Sequence, residues 1–263
     1  TFGGIWDDVV LEEAPAYFVT AHHAKGNCAG EGEITVALDL KRPGEMALSA
    51  RIYAPDGALL QELSLSRALE AGEQKLSFGF RVDNPVCWEL DAPALYRYEL
   101  TVEGLGQTES LSRKYGYREI ASDGPKITLN GRPVYARGVL HWGCYDDEII
   151  PNPSREIIHD EIERSKAYGF NMIKHCLYIP REAYFELADE LGMLLWVELP
   201  VWLPDPTPEL EPRIKREFPR ILEQMQGHPS VVLVSLGCEL DSKVSSGILE
   251  EMYHLAKSTS NAL

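Results

Sequence analysis

The chain has 263 residues, 44% of them hydrophobic and 25% charged, with a formal net charge of −16. That is a globular composition with room for one large or two medium domains. The acidic balance excludes a nucleic-acid partner, which needs a basic patch for its phosphates, and no run of about 18 apolar residues is present to span a bilayer.

The N-terminal TFGGIWDDVV has neither the basic n-region nor the apolar h-region of a signal peptide; this does not settle the location, although a cytoplasmic one is favoured. The five cysteines, Cys28, Cys87, Cys144, Cys176 and Cys238, are odd in number and widely spaced. They do not suggest a disulfide framework, and reduced thiols are expected.

Up to about residue 120, short alternating apolar runs are separated by turn residues. The runs are 16–20, 34–40, 46–53, 75–82, 96–102 and 109–114. Val36, Leu38 and Leu40 share one strand face, with Thr35, Ala37 and Asp39 on the other. Arg42-Pro43-Gly44, Pro55-Asp56-Gly57, Ala71-Gly72 and Gly104-Leu105-Gly106 supply the turns. About seven short strands in this space predict a β-sandwich, immunoglobulin-like without the antibody disulfide pattern.

Beyond residue 120 strands and helices alternate. A strand is predicted over 134–139, then a helix N-capped by Ser154 that runs to Gly169. A strand follows over 171–176, and a helix opened by Pro180 and ended by Gly192. Met193–Leu199 is a nearly continuous apolar strand, as expected where both faces are buried. A proline-rich loop, a helix over 214–226, an apolar strand over 231–236 and a helix over 244–257 complete the series.

Four βα units in series predict a parallel sheet with right-handed crossovers. A doubly wound nucleotide fold would show a Gly-rich turn after its first strand. Gly138-Val139-Leu140-His141-Trp142-Gly143 is not that fingerprint. We therefore favour the first four βα units of a (β/α)8 TIM barrel, with no cofactor expected.

Barrel active sites sit at the carboxyl ends of the strands. Those ends carry His141, Trp142, Cys144 and Asp146, then His175 and Cys176, then Glu198 and Trp202, then Cys238, Glu239 and Asp241. Carboxylates supply acid/base chemistry and tryptophan faces stack on sugar rings. Bland readings stand beside these. Trp142 and Trp202 could be loop-packing aromatics, and His175 a satisfied core histidine. Glu198 and Glu239 follow apolar strands, where a carboxylate is rarely buried without a partner or a role.

The run His228-Pro229-Ser230-Val231-Val232-Leu233-Val234-Ser235-Leu236-Gly237-Cys238-Glu239 resembles the signature of glycoside hydrolase family 2, which ends in Asn-Glu after the fourth barrel strand. Further resemblances run in order along nearly the whole chain. They are Gly3 to Val9 (GGIWDDV), Trp88 to Tyr96 (WELDAPALY), Tyr115 to Arg118 (YGYR), Leu129 to Pro133 (LNGRP), Gly169 to Lys174 (GFNMIK) and Leu187 to Pro200 (LADELGMLLWVELP).

The resemblance implies that residues 1–12 end a jelly-roll sugar-binding domain, 13–120 form the sandwich, and 121–263 form the N-terminal half of a catalytic barrel. It implies that Glu239 is the general acid/base of a retaining β-glycosidase acting on an oligosaccharide or glycoside. Glu198, His141, Trp142, His175, Cys238 and Trp202 would bind substrate. Retention needs a second carboxylate about 5–5.5 Å away. The family's nucleophile follows a seventh strand, so this stretch alone is expected to be inactive.

Three residues depart from the family pattern. Cys238 replaces the Asn that contacts the sugar 2-hydroxyl, Leu177 stands at the His of a His-Tyr-Pro motif, and Lys174 stands where Arg is usual. Two alternatives stay open: a carbohydrate-binding relative without catalysis, and a zinc site built from Cys144, Cys176, Cys238, His141 and His175. Sheet edges left open at strands one and four, with Val134, Leu195, Val197, Leu233 and Leu236 facing an unclosed interior, predict either a homo-oligomer that buries this face or poor packing there while the sandwich stays folded.

Overall fold

A computed structural model describes residues 5, 7–145, 151–240, 244–259 and 262–263. Gly3, Gly4 and Trp6 of the N-terminal motif, with Asp146 and Asp241, lie outside the described residues. Strand dominates: fourteen strands and four helices are found among the described residues. They fall into two compact units, one of residues 9–88 and 94–118, the other containing 89–93 and 119–263.

The first unit is a two-sheet sandwich. One sheet has the order β1-β2-β5, from Tyr17–Gly26, Glu31–Leu40 and Gly72–Arg81. The other has the order β4-β3-β6-β7, from Leu59–Leu69, Gly44–Tyr53, Tyr96–Gly104 and Gln107–Tyr115. Every pairing is antiparallel. The period of two is visible in burial: Met46, Leu48, Ala50 and Ile52 of β3 are buried, as are Tyr96, Tyr98, Leu100 and Val102 of β6. Tyr17, Tyr115 and Tyr117 join this core, and the Tyr17 hydroxyl donates to the Val102 carbonyl at 2.8 Å. A buried phenol needs such a partner.

One expectation is corrected here. Cys28 and Cys87 are joined by a disulfide, their Cα atoms 5.8 Å apart. Residues 26 and 87 both bridge to Tyr117, which brings the β1–β2 turn beside the segment before β6. Two cysteines separated by 59 residues become neighbours through strand pairing, which linear spacing does not reveal.

The second unit opens with a small antiparallel sheet, β8 (Ile120–Asp123), β9 (Lys126–Leu129) and β10 (Arg132–Val134), in the order β10-β9-β8. The first parallel strand is β11, Gly138–His141, rather than 134–139. Residues 132–134 are instead recruited by the Asn130-Gly131 hairpin, where both residues have positive φ.

Strands β11, β12 (Met172–His175), β13 (Leu194–Glu198) and β14 (Val231–Ser235) are parallel and lie in chain order. The helices α1 (Arg155–Ala167), α2 (Glu182–Leu191) and α3 (Leu210–Gln224) lie between successive strands, and α4 (Ser246–Thr259) follows the last. Ser154 caps α1 by accepting from the Ile157 N–H. Gly192 ends α2 in the left-handed region at φ 71°, where a Cβ would also lie 2.0 Å from the Leu90 carbonyl oxygen.

All four helices contribute to one apolar core. Ile158, Ile162, Phe185, Ala188, Phe218, Leu222, Ile248 and Met252 pack with Ile173, Leu195, Val197, Leu199 and Val231. This settles which way the strands face, and it corrects the expectation for Leu195, Val197 and Leu236. These side chains pack with the helices. The fourth strand's edge is also partly paired: the Leu263 N–H donates to Val232 O at 2.8 Å, and Val234 N–H to Leu263 O at 3.2 Å.

Candidate active site

Alternation along the parallel strands sorts their carboxyl-terminal residues into two groups. In register, Val139, Ile173 and Leu195 lie side by side, as do His141, His175 and Val197. These pack toward the helices. Lys174, Cys176, Trp196 and Glu198 alternate with them and take the opposite face.

That face carries a polar cluster. Glu198 is only 3% exposed. Its Oε1 lies 2.6 Å from Lys174 Nζ, and its Oε2 accepts from the Cys176 thiol at 2.9 Å. A carboxylate this buried needs both partners, because desolvating an unpaired charge costs several kcal/mol. The Lys174 ammonium also sits 4.4 Å from the centroid of the Trp196 ring, whose Nε1–H donates to Ser235 Oγ at 2.6 Å. One network therefore crosses β12, β13 and β14.

Burial, followed by the Glu198 contact, pushes the Cys176 thiol up to about 12. Burial and the charges of Glu198 and Glu239 also raise Cys238. Since the thiolate is the nucleophile, iodoacetamide at pH 7.5 is expected to modify the exposed Cys144 first. Cys176 should stay unmodified until the chain unfolds, and Cys28 and Cys87 until reduction. Peptide mass spectrometry reads this order; labelling of Cys176 as fast as Cys144 would contradict its burial.

The loops after β13 and β14 are tied together beside this cluster. Cys238 N–H donates to Val201 O at 2.9 Å, and Trp202 pairs with Cys238 in a parallel bridge. The approach requires glycine at 237, where φ is 148° and a Cβ would lie 2.7 Å from Val201 O. Glu239 follows with φ 49°, a left-handed conformation rare for glutamate. Its carboxylate is exposed, and its Oε2 accepts from Trp202 Nε1–H at 2.7 Å. The structure thus brings Glu239, Trp202 and Cys238 together. The charges of Glu198 and Lys174 also act on the Cys238 thiol.

His141 and His175 belong elsewhere. Tyr178 Oη lies 2.6 Å from His141 Nδ1 and 2.8 Å from His175 Nδ1. Gly143 N–H donates to His141 Nδ1 at 3.0 Å, so that nitrogen is an acceptor and the ring proton sits on Nε2, 3.4 Å from Glu161 Oε1. Tyr178 then donates to His141 and accepts from His175 Nδ1–H. The Tyr184 hydroxyl completes the network by donating to Glu161 at 2.6 Å. The two histidines pack against α1 and α2 residues rather than beside Glu198. Trp142, past β11, is 46% exposed.

Among the described residues no three His, Cys, Asp or Glu side chains are grouped to hold a metal ion. A cleft of about 350 Å³ at the opposite, amino-terminal end of the sheet is lined by Tyr135, Arg137, Lys166 and Asn171. Its cations are engaged with helix ends: Arg137 Nε donates to Gly169 O at 2.6 Å, and Lys166 to Leu191 O.

Residues 15–118 match the family model for the glycosyl hydrolases family 2. Over those residues the chain is similar to the glycosyl hydrolases family 2. It is 23% identical to a β-galactosidase of Halalkalibacterium halodurans over 261 residues, covering 90% of this chain and 25% of that protein. It is 24% identical to an exo-β-D-glucosaminidase of Amycolatopsis orientalis, covering 95% of this chain and 26% of that protein. The chain therefore spans about a quarter of the length of these curated relatives. Its fold is similar to that of a β-glucuronidase of Parabacteroides merdae, with a TM-score of 0.79 and 23% identity over 94% of this chain and 34% of that one. A β-D-mannosidase of Dictyoglomus thermophilum gives a TM-score of 0.73 at 20% identity, over 83% of this chain and 29% of that one.

Sequence reasoning missed Tyr178 and Glu161, which hold the two histidines. It noted Lys174 in the Gly169–Lys174 match and as a departure, and Cys176 as a strand-end residue and metal candidate, but did not pair either with Glu198. Their spacing of two on β12 was the available signal, since residues two apart on a strand share a face.

Proposed function

We propose that the protein containing this chain is a retaining β-glycosidase and that Glu239 is its general acid/base. One observation carries this reading. Glu239 stands at the carboxyl end of the fourth consecutive parallel strand, in a left-handed backbone conformation, with an exposed carboxylate anchored by Trp202. Sparsely populated backbone geometry persists where the surroundings enforce it, and it clusters at functional sites.

Four parallel strands in chain order, with every helix packed in one core on one face, are how consecutive units of a (β/α)8 barrel begin. On this reading residues 121–263 are the first half of the barrel and 13–120 an immunoglobulin-like domain. Residues 1–12 lead in from a preceding sugar-binding domain. Lys174, Trp196, Glu198 and Ser235 then face the barrel interior. Glu198, Cys238, Trp202 and Trp142 remain our candidates for the sugar-binding surface, whereas His141 and His175 support the strands from behind.

Glu239 would protonate the glycosidic oxygen as the sugar–oxygen bond breaks. A second carboxylate takes the sugar, and Glu239 then removes a proton from the water that frees it. Glu198 is paired with Lys174 and Cys176 and suits a positioning part better than attack. The nucleophile is placed on a later strand, outside residues 1–263. Names of the relatives point to terminal β-glycosides as the substrate class.

The test is hydrolysis by the complete polypeptide of 4-nitrophenyl β-D-galactoside, glucuronide, mannoside and glucosaminide, with the first-formed anomer read by NMR. We expect at least one to be cleaved to the β-anomer first, and none by residues 1–263 alone. First formation of the α-anomer would overturn retention. Cleavage of none by the complete polypeptide would favour a carbohydrate-binding relative.

A further inference from the structure

We propose that Trp202 is a positioning residue that selects which oxygen of Glu239 carries the catalytic proton. The proposal rests on the acid/base reading of Glu239 and goes beyond it. The indole Nε1–H is a donor only. It occupies Glu239 Oε2 at 2.7 Å. In a neutral carboxyl the carbonyl oxygen is a stronger acceptor than the hydroxyl oxygen, so the indole donor on Oε2 favours Oε2 as the carbonyl and places the proton on Oε1. Oε1–H then donates to the glycosidic oxygen, which keeps the electron pair of the breaking sugar–oxygen bond. In the second half-reaction Oε1 recovers a proton from water, while Oε2 stays on the indole throughout.

The backbone makes this contact a built feature. The Trp202 loop cannot drift from Glu239, because Val201 O holds Cys238 N–H at 2.9 Å and residues 202 and 238 are bridged. Gly237 permits the approach, and Leu203 at φ 40° and Glu239 at φ 49° take left-handed conformations on the two sides of the contact. A tryptophan that served only as a sugar platform would need no hydrogen bond from its edge and no such tie.

Two measurements test the proposal. In residues 1–263 with ¹⁵N-labelled indoles, the Trp202 Nε1–H resonance is identified by its loss in Trp202→Phe. In Glu239→Ala that proton is expected to move upfield and exchange with solvent about tenfold faster, the factor for losing one charge-assisted hydrogen bond. An unchanged resonance and exchange rate would overturn the contact, and this arm needs no catalysis.

In the complete enzyme, Trp202→Phe keeps an aromatic ring and removes the N–H. Turnover of methyl β-glycosides, which need full protonation, is expected to fall about tenfold or more, while 2,4-dinitrophenyl β-glycosides lose less than about threefold. Equal losses on both classes, or a rise in KM alone, would overturn the positioning role and leave a platform. If Glu239→Gln itself fails to separate the two substrate classes, the acid/base reading falls instead, so the two failures are distinguishable.

Discussion

Glu239→Gln in the complete enzyme is expected to lower kcat/KM for methyl β-glycosides by about 10²–10⁴-fold, the usual contribution of a general acid. That corresponds to about 2.7–5.5 kcal/mol of transition-state stabilisation. Glutamine has nearly the same shape, and its amide oxygen can still accept from Trp202 Nε1–H, so the loop tie through Val201 and Cys238 should survive. What is lost is the acidic proton. A methoxide leaving group cannot depart without it, whereas a 2,4-dinitrophenolate is stable as the departing anion. The glycosylation step for the activated substrate should therefore fall by less than about tenfold. Pre-steady-state release of the phenolate isolates that step. Equal losses on the two substrates in glycosylation would remove Glu239 from the acid's place. The comparison is informative because it separates protonation from folding: a variant that merely damaged the site would lose both substrates together.

Much of the sandwich was legible in sequence because its faces differ chemically. Met46, Leu48, Ala50 and Ile52 are buried and alternate with the exposed Glu45, Ala47, Ser49 and Arg51. Strand β4 was not among the predicted runs; none of its residues is fully buried, so its apolar positions carry little contrast. The parallel strands were legible as strands, but their facing was not. Met193–Leu199 is apolar on both sides, so composition could not say that Leu195 and Val197 meet helices while Trp196 and Glu198 do not. The same ambiguity led the histidines to be grouped with the carboxylates. His175 and Cys176 are adjacent in the chain, and one residue along a strand changes the face. Cys176 reaches Glu198, while His175 turns to Tyr178 and Tyr184. Glu198's partner Lys174 lies on the neighbouring strand, and only the register of β12 against β13 brings the two together. Glu239 was recognised from its place after an apolar strand. Its hydrogen bond to Trp202 depends on two loops meeting, which no local pattern encodes.

Acidification from pH 7 to pH 5 is expected to destabilise the unit of residues 119–263 by about 2 kcal/mol through His175 alone. His175 is fully buried, and burial, reinforced by the neighbouring His141, holds its imidazole well below the usual histidine range. The tautomer explains why relief is unavailable. Nδ1–H is committed to Tyr178, and among the described residues Nε2 has no hydrogen-bond partner. A second proton would therefore sit on a buried nitrogen with nothing to accept it. With the folded value depressed, the neutral form is favoured by folding. Its contribution is complete above the unfolded value of about 6.5 and is lost as pH falls below it, at about 1.4 kcal/mol per pH unit. From pH 6.5 to pH 5 that amounts to about 2 kcal/mol. In the sandwich, His23 adds a parallel loss: burial, then Lys75, lowers it to about 3. Hydrogen exchange of peptides from α1 and α2, measured at both pH values with intrinsic exchange corrected, reports the opening free energy of the unit that holds His175. His175→Phe replaces one ring by another, and the Tyr178 hydroxyl keeps His141 Nδ1 at 2.6 Å. In that variant the difference between pH 7 and pH 5 should shrink by about 2 kcal/mol. An unchanged difference would mean that His175 gains a proton in the folded state as readily as in the unfolded chain, and the tautomer assigned to it would have to be reversed.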